Sequence, residues 1–260
     1  MNFESIITKT KPEKVTAKQY LSECLTIPTK YVFRGHGDVK WKLVPSAFRN
    51  ADGKAVNEAE RVSRLSYFND TSQFQKDFPK LFRVAHSNEG TVHLPINISE
   101  MSKLEKIVFF QHYGISTPLL DWTDSPLIAL FMAVQFRPHN SKVVRIFRLD
   151  DNMKPKGLML QKYHDLGFER VRRQLGGVTF CGSMEGSLSL QPTLLEKIIS
   201  QAAQGNTDYT DTVQCIDVKI NKGDDQMIQD ALRSNGFTLE NLFPNSPYWV
   251  AKAITANLPW

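Results

Sequence analysis

The fold of this chain is set by the stretch Gln111-His112-Tyr113-Gly114-Ile115-Ser116-Thr117-Pro118-Leu119-Leu120-Asp121-Trp122-Thr123, which lies between two predicted helices. Upstream, Ser102-Lys103-Leu104-Glu105 has the pattern of a capping box, and apolar residues follow at helical spacing as far as the glycine. Downstream, a helix begins at Thr123-Asp124-Ser125-Pro126, where a hydroxyl or carboxylate can cap the free N–H groups. This helix is apolar on almost every side, which predicts that it is buried. The polar residues of the stretch are therefore expected at the ends of two core helices.

Strands and helices are intermixed along the rest of the chain. Because the order lacks the regular rhythm of βαβ units, we expect an α+β domain with a mixed or antiparallel sheet. We predict strands at residues 29–35, 142–149, 177–181 and 213–220, helices at 15–25, 193–203 and 224–235, and a mostly helical segment at 56–82. In that segment Val62, Leu65 and Phe68 recur at helical spacing and are predicted to be core.

The 260 residues, 41% of them hydrophobic, suffice for one large domain. We place this domain at residues 29–258, after a helical lead-in at 1–28 and with a helical insertion at about 56–98. Three widely spaced cysteines predict neither a disulfide framework nor a zinc site. The longest apolar run, residues 127–134, is too short to cross a bilayer, and no signal-like stretch precedes it. We therefore expect a cytoplasmic protein.

A second informative stretch is Tyr31-Val32-Phe33-Arg34-Gly35-His36-Gly37, a predicted strand that ends in a turn. Glycine allows the backbone to come close to a ligand, and the planar fork of an arginine suits a phosphate or carboxylate. The alternative is that Arg34 forms a buried ion pair with Asp121.

The segment between residues 145 and 173 is basic, with aromatic residues among its lysines and arginines. Such a mixture can follow a phosphate backbone and stack on bases, so Arg170, Arg172 and Arg173 are candidate nucleic-acid contacts. The net charge of +5 alone is typical of an ordinary solvated surface, which is the alternative interpretation.

These motifs together resemble the FRG-domain family, which is named for a Phe-Arg-Gly motif. The residues that carry the resemblance are Phe33-Arg34-Gly35, Gln111-His112-Tyr113-Gly114, Leu119-Leu120-Asp121-Trp122-Thr123 with Pro126-Leu127, Arg170-x-x-x-Gln174-x-Gly176 before Val178-Thr179-Phe180, and Gly236-Phe237 with Leu242-Phe243-Pro244. An ordered series of this kind is specific. Members of the family occur among bacterial toxin and phage-defence genes, and the family is distantly similar to ADP-ribosyltransferases.

The resemblance implies an ADP-ribosyltransferase-like fold with NAD as the substrate. In one branch of those enzymes an early strand supplies an arginine for the diphosphate, a Ser/Thr segment supports the ribose site, and a late carboxylate is catalytic. Arg34 matches the first element and Thr117 part of the second. No Gln-x-Glu or Glu-x-Glu pair is present near the C-terminus, so Glu240 is matched by its late position, with Asp121 as the second catalytic candidate. The candidates for binding the cofactor are Arg34, Gly35, His36, His112, Tyr113, Thr117, Trp122 and Gln174.

The chemistry of NAD explains why these residue types are useful. Loss of nicotinamide creates an oxocarbenium-like ribose, which requires a cation for the diphosphate, a flat apolar surface and a nearby carboxylate. Tyr113 or Trp122 could stack on a ring. Each candidate also has a structural alternative: a helix cap for His112, a core position for Trp122, and an ordinary surface position for Glu240.

We therefore predict a toxin or defence effector that transfers ADP-ribose from NAD to a macromolecule, with RNA as the first choice of acceptor and a neutralising antitoxin as a partner. The alternative is a non-catalytic module whose pocket binds nucleic acid or a nucleotide without turnover. The sequence contains no Walker-type phosphate loop and no nucleophile elbow. His36, His112 and Asp121 have side chains suited to a metal, but they lack the spacing of a ligand set, so no metal is predicted.

Overall fold

The computed structural model describes residues 12–24, 30–70, 100–112, 116–150, 155–163, 169–185, 187–205 and 212–243. Eight strands in this part of the chain form a mixed sheet. They are β1 (Glu13–Thr16), β2 (Tyr31–His36), β3 (Leu120–Thr123), β4 (Val143–Asp150), β5 (Leu158–Lys162), β6 (Gly176–Ser183), β7 (Ser189–Leu190) and β8 (Val213–Lys219). The order is β1-β8-β4-β2-β3-β6-β5, with β7 paired to β6. The pair β1 and β8 is parallel, and the other pairs are antiparallel.

Helices cover both faces of the sheet. They are α1 (Ala17–Glu23), α2 (Glu58–Asn69), α3 (Lys103–His112), α4 (Pro126–Gln135), α5 (Glu169–Arg173), α6 (Leu195–Gly205), α7 (Asp224–Ser234) and α8 (Leu239–Leu242), with a 3-10 turn at Ser46–Phe48. The central strands pack on one face against α4, α1 and α7, and on the other against α6. The mixed α/β architecture predicted from the sequence is confirmed. None of the helices in the described ranges is long and apolar enough to span a membrane.

The two helices that flank the central stretch form as predicted. Ser102 and Glu105 make the reciprocal capping contacts at the start of α3, with Glu105 N donating to Ser102 Oγ at 3.2 Å. Ser125 caps α4 by accepting from the Ile128 N–H, and Pro126 occupies the first turn. Five of the ten residues of α4 are buried, Ile128, Ala129, Leu130, Phe131 and Ala133, because the helix packs against β2 and β4 in the centre of the sheet.

Several elements differ from the sequence predictions. Residues 13–16, partly predicted as helix, form β1 in parallel with β8, and Thr16 caps the helix that follows. The strands β3, β5 and β7 were not predicted. In α2, Leu65 and Phe68 are buried as expected, but Val62 is 53% exposed, so its core prediction is wrong. Its neighbour Arg61 is buried instead and donates to the Pro192 carbonyl at 2.6 Å. Residues 71–99, most of the predicted insertion, lie outside the described residues.

The sheet opens between its two central strands β2 and β3. They share one paired position, Phe33 with Thr123. Beyond that position, β2 continues along β4 while β3 continues along β6. The opening faces the side of α4, and it decides where the polar side chains of both strands can meet.

Candidate functional site

A cavity of about 270 Å³ lies at this opening between β2 and β3. One wall is apolar and consists of Phe33, Ile128, Ala129, Met132, Phe136 and Phe243. The other wall is polar and consists of Arg34, Gln111, His112, Asp121, Thr123, Arg170 and Gln174, with Gly35 and Trp122 completing the lining. Most of the predicted site residues are thus brought together from four separate parts of the chain.

Arg34 places its guanidinium in the opening of the sheet. Nη1 donates to the main-chain carbonyl of Asp121 at 2.7 Å, and Nε donates to Nε2 of His36 at 3.0 Å. The contact with Asp121 is therefore to the main chain, and not the side-chain ion pair considered as the alternative. Burial lowers the pKa of Arg34, and the negative charge of the nearby Asp121 acts in the opposite direction by favouring the charged guanidinium. A guanidinium has five N–H donors, so three remain that donate to no described residue.

His36 supports Arg34 from behind and does not line the cavity. Its Nε2 accepts from Arg34, so Nδ1 carries the proton and faces the Trp41 carbonyl at 3.3 Å. Burial, with Arg34 and other arginines nearby, lowers the pKa of His36 well below its ordinary value. The ring is a neutral support for the arginine and lies outside the lining of the cavity.

Asp121 points its carboxylate into the cavity from β3. Its Oδ1 accepts from the side-chain amide of Gln111, while Oδ2 accepts from no described residue. Burial raises the pKa of Asp121, and the charges of Arg34 and Arg170 together with the Gln111 hydrogen bond oppose the rise. Of the described residues that line the cavity, Asp121 is the one carboxylate.

Thr117 is fully buried behind Gln111 and Asp121 and does not line the cavity. Its hydroxyl donates to Oε1 of Gln111. The main chain of Thr117 is held by Ser46, whose Oγ accepts from the Thr117 N–H at 3.0 Å. The structure thus places Thr117 behind the cavity lining, where it connects through Gln111 to Asp121.

Trp122 lies on the opposite face of β3 from Asp121, because neighbouring residues of a strand point to opposite faces. Its ring is 3% exposed and packs with Val32 and Leu120, while Nε1 donates to the Thr179 hydroxyl at 2.8 Å. The ring is a core residue, as in the structural alternative, and offers almost no surface for stacking.

His112 and Arg170 meet at the far end of the cavity. Arg170 donates to the His112 carbonyl and lies over the Phe243 ring, with 4.5 Å between the guanidinium carbon and the ring centre. Burial, with Arg170 as the neighbouring cation, lowers the pKa of His112 to about 3. The imidazole is therefore neutral near pH 7.

Gln174 donates to the Leu242 carbonyl at 2.8 Å, which connects α5 to the segment that carries Phe243.

Gly35 is required by packing. A methyl group on its α-carbon would lie 1.9 Å from the Ala129 carbonyl oxygen and 2.9 Å from the Ala133 nitrogen. At Gly37 the same substitution would meet the Phe136 carbonyl oxygen at 2.5 Å. Both glycines allow α4 and the residue after it to lie directly against β2 and the turn that follows it. The sequence had instead suggested that glycine allows a ligand to come close.

The remaining candidates lie away from the cavity. Glu240 is exposed on α8, where hydrogen bonds from its own N–H and from Thr238 lower its pKa. Arg172 and Arg173 are exposed on α5, next to Arg170. Tyr113 lies outside the described residues. Among the described residues, no group of three or more histidine, cysteine, aspartate or glutamate side chains could hold a metal.

The sequence interpretation did not nominate two residues with clear roles in the cavity. Gln111 was quoted only as part of the central stretch, although it precedes His112 there and its side-chain amide donates to the Asp121 carboxylate. Phe243 was quoted only as part of a motif, although its ring covers Arg170. The available signal was their place in the ordered series of motifs to which Asp121 and Arg170 also belong.

Comparison with known proteins gives one match. The family model of the FRG domain matches residues 29–142, a range that contains β2, α3, β3 and α4 and therefore both sides of the opening in the sheet. No curated protein and no solved structure matches the chain. The motifs at Phe33-Arg34-Gly35 and Gln111–Leu127 lie within this range, so the motifs and the family model agree that residues 29–142 are similar to the FRG domain.

Proposed function

We propose that the cavity binds NAD, that the protein breaks the bond between nicotinamide and ribose, and that ADP-ribose passes to a macromolecule. The observation that carries this proposal is the meeting of Arg34 and Asp121 in one cavity. Three N–H groups of the arginine and one oxygen of the carboxylate have no partner among the described residues.

The charge of the cavity supports an anionic ligand. Two guanidiniums, from Arg34 and Arg170, face one carboxylate, and His112 is neutral because its pKa lies at about 3. Among the described lining residues the cations outnumber the carboxylates, and a partly enclosed site of this kind favours a phosphate or diphosphate. Arg34 is suited to this role because its guanidinium is already held by His36 and by the main chain.

The size of the cavity limits what it can enclose. At about 270 Å³ it is slightly smaller than the roughly 300–1,000 Å³ of pockets for drug-sized ligands. A nicotinamide ring with its ribose would fit against the apolar side of α4, while the rest of the dinucleotide would extend outside. Of the aromatic residues in the lining, Phe136 and Phe243 are candidates for contact with the ring, because the Trp122 side chain is committed to the core.

The proposed reaction uses Asp121 to stabilise positive charge. As the C–N bond breaks, its electron pair leaves with the nicotinamide, and the ribose carbon becomes oxocarbenium-like. A carboxylate held beside that carbon lowers the barrier without having to reorient. A lone pair of the acceptor then forms the new bond to the ribose carbon, and the acceptor's proton passes to solvent. Asp121 replaces Glu240 in this proposal, because Glu240 lies on the surface outside the cavity.

A nucleic acid, with RNA as the first choice, is the proposed acceptor. Arg172 and Arg173 are exposed on the same short helix that brings Arg170 to the cavity. Phosphates bound at these two arginines would place a strand near the cavity. In this proposal the protein acts in the cytoplasm as a bacterial toxin or phage-defence effector, and a neutralising antitoxin would be expected to cover the cavity.

The test is release of nicotinamide from labelled NAD by the purified chain, with RNA, DNA and cell protein offered separately as acceptors. We expect Asp121→Asn to lower turnover about 100-fold or more, the loss typical of removing one preorganised electrostatic contact. Arg34→Lys should mainly raise KM, because a lysine lacks the planar fork. Glu240→Gln is the matched control and should behave like the wild type. Equal turnover in Asp121→Asn and Glu240→Gln would refute the role of Asp121.

The competing function is binding of a nucleotide or nucleic acid without turnover. It is favoured by the single carboxylate among the described lining residues, because enzymes that cleave glycosidic bonds typically use a pair of carboxylates. It predicts RNA binding that weakens steeply with salt and is reduced in Arg172→Ala, with no nicotinamide released.

A further inference from the structure

We infer that Gln111 and Thr117 are positioning residues that hold Asp121 in place for the proposed reaction, so the inference rests on the proposed function. The three side chains form one hydrogen-bonded series, from the Thr117 hydroxyl to the Gln111 amide and from that amide to the Asp121 carboxylate. The series runs from the fully buried interior to the surface of the cavity.

The buried end of the series determines which way the amide of Gln111 faces. The Thr117 oxygen accepts from the Leu119 N–H at 3.4 Å, so its own O–H is directed to Oε1 of Gln111. A carbonyl that receives this hydrogen bond leaves Nε2 as the atom facing Asp121. The donor that the carboxylate requires is therefore fixed from behind, without a charged residue.

Thr117 is itself held rigidly. Its carbonyl accepts from the Ala47 N–H at 3.0 Å and from Ser46 Oγ at 3.3 Å, and its N–H donates to the same Ser46 oxygen. The 3-10 turn at Ser46–Phe48 thus anchors the series, although this turn lies far from Asp121 in the sequence. Rigid support of this kind is what keeps a reacting group in its productive geometry.

Other groups near Asp121 affect its charge but cannot replace the amide. The neighbours with charges or titratable groups are Arg34 from β2, Arg170 from α5, His112 from the end of α3 and Tyr163 from beyond β5. Arg34 is bound to the main chain of Asp121, and Arg170 donates to the His112 carbonyl. Among the described residues, the side-chain hydrogen bond to the carboxylate comes from Gln111.

The experiment is a carbon-detected NMR titration of the Asp121 carboxyl in the complete chain, with the signal assigned by its loss in Asp121→Asn. The variants are Thr117→Val, which removes the hydroxyl at nearly constant volume, and Thr117→Ser, which keeps it. We expect Thr117→Val to raise the pKa of Asp121 by about one unit, as for the loss of one hydrogen bond to a charged group, and Thr117→Ser to leave it unchanged. Gln111→Met should raise this pKa at least as much and decides the question if Thr117→Val does not fold.

A kinetic measurement separates positioning from simple stability. Thr117→Val should lower kcat for nicotinamide release with KM unchanged, because NAD does not contact Thr117. If the wild type releases no nicotinamide with any acceptor, the proposed function fails, while the titration still tests the series. If Thr117→Val keeps the native spectrum and Asp121 titrates as in the wild type, the inference is overturned.

Discussion

Replacing Gly35 by alanine should separate helix α4 from strand β2. The new methyl carbon would lie 1.9 Å from the Ala129 carbonyl oxygen, whereas real contacts of this kind essentially never fall below 3.0 Å. The backbones must therefore move apart by about 1 Å, and a gap of roughly 0.5–1 Å loses a quarter to a half of each van der Waals contact across it.

The cost follows from the kind of atom that is met. Overpacking a core typically costs about 1–3 kcal/mol, and a side chain can often relieve it by changing rotamer. Here the obstacles are main-chain atoms of Ala129 and Ala133, so this relief is absent. We expect a loss of about 3 kcal/mol, which for a chain of this size lowers Tm by roughly 6–12 °C.

The assay is thermal unfolding, with two control variants. Gly223→Ala meets no atom within 4 Å, and its φ of +93° imposes only backbone strain, so its loss should be about 1–2 kcal/mol. Gly35→Ala combined with Ala129→Gly should not recover, because the oxygen that clashes belongs to the main chain. Recovery in the double variant, or a Tm for Gly35→Ala no lower than that of Gly223→Ala, would refute the explanation.

Three further changes test other parts of the structure. The pKa of His112 falls to about 3 on folding, so between about pH 6.5 and 3 the unfolded chain binds a proton that the native chain does not. The free energy of unfolding therefore decreases as the pH falls through this range, by up to about 1.4 kcal/mol per pH unit. In His112→Gln, the free energy of unfolding, measured from pH 7 to 4.5, should decline less steeply. Leu175 has a φ of 47°, in the left-handed region that asparagine adopts more easily than leucine, and it is 40% exposed. Leu175→Asn should therefore raise the free energy of unfolding by about 0.5–1 kcal/mol in urea unfolding. A lower free energy of unfolding would contradict backbone strain at this position. Arg145 donates to both carboxylate oxygens of Asp217, at 2.7 and 2.9 Å. Arg145→Lys should therefore lower the free energy of unfolding by about 1–3 kcal/mol in the same urea assay. An unchanged urea midpoint would show that the planar guanidinium is not needed.

The sequence predicted the elements whose ends carry a local signal. The Ser102–Glu105 capping pair predicts the start of α3, and Thr123-Asp124-Ser125-Pro126 predicts the start of α4 without deciding which residue caps it. The structure contains the Ser102–Glu105 contacts and a cap from Ser125. Signals of this kind depend on a few neighbouring residues, so they can be recognised without tertiary information. The same reasoning located Arg34 near the end of a strand.

The strand β3 could not be recognised in this way. It has four residues, and although Leu120-Asp121-Trp122-Thr123 alternates between apolar and polar side chains, four residues are the shortest stretch over which alternation indicates a strand. Without the strand, Asp121 and Trp122 were expected to act on the same ligand. Glu240 was nominated from its place near the end of the chain, which carries no information about distance from Arg34.

Asp121 joins the two sides of the opening in the sheet through separate groups. Its carbonyl binds Arg34 and its carboxylate binds Gln111, so the structural contact and the proposed chemical role belong to different atoms. Asp121→Asn keeps the carbonyl and an oxygen that can accept from Gln111, while it removes the negative charge. A loss of turnover in this variant, with an unchanged Tm, would therefore report the missing charge and not a displaced Arg34. The variant tests the charge of the Asp121 carboxylate while its contacts are kept, and this is why Asp121 decides between catalysis and binding.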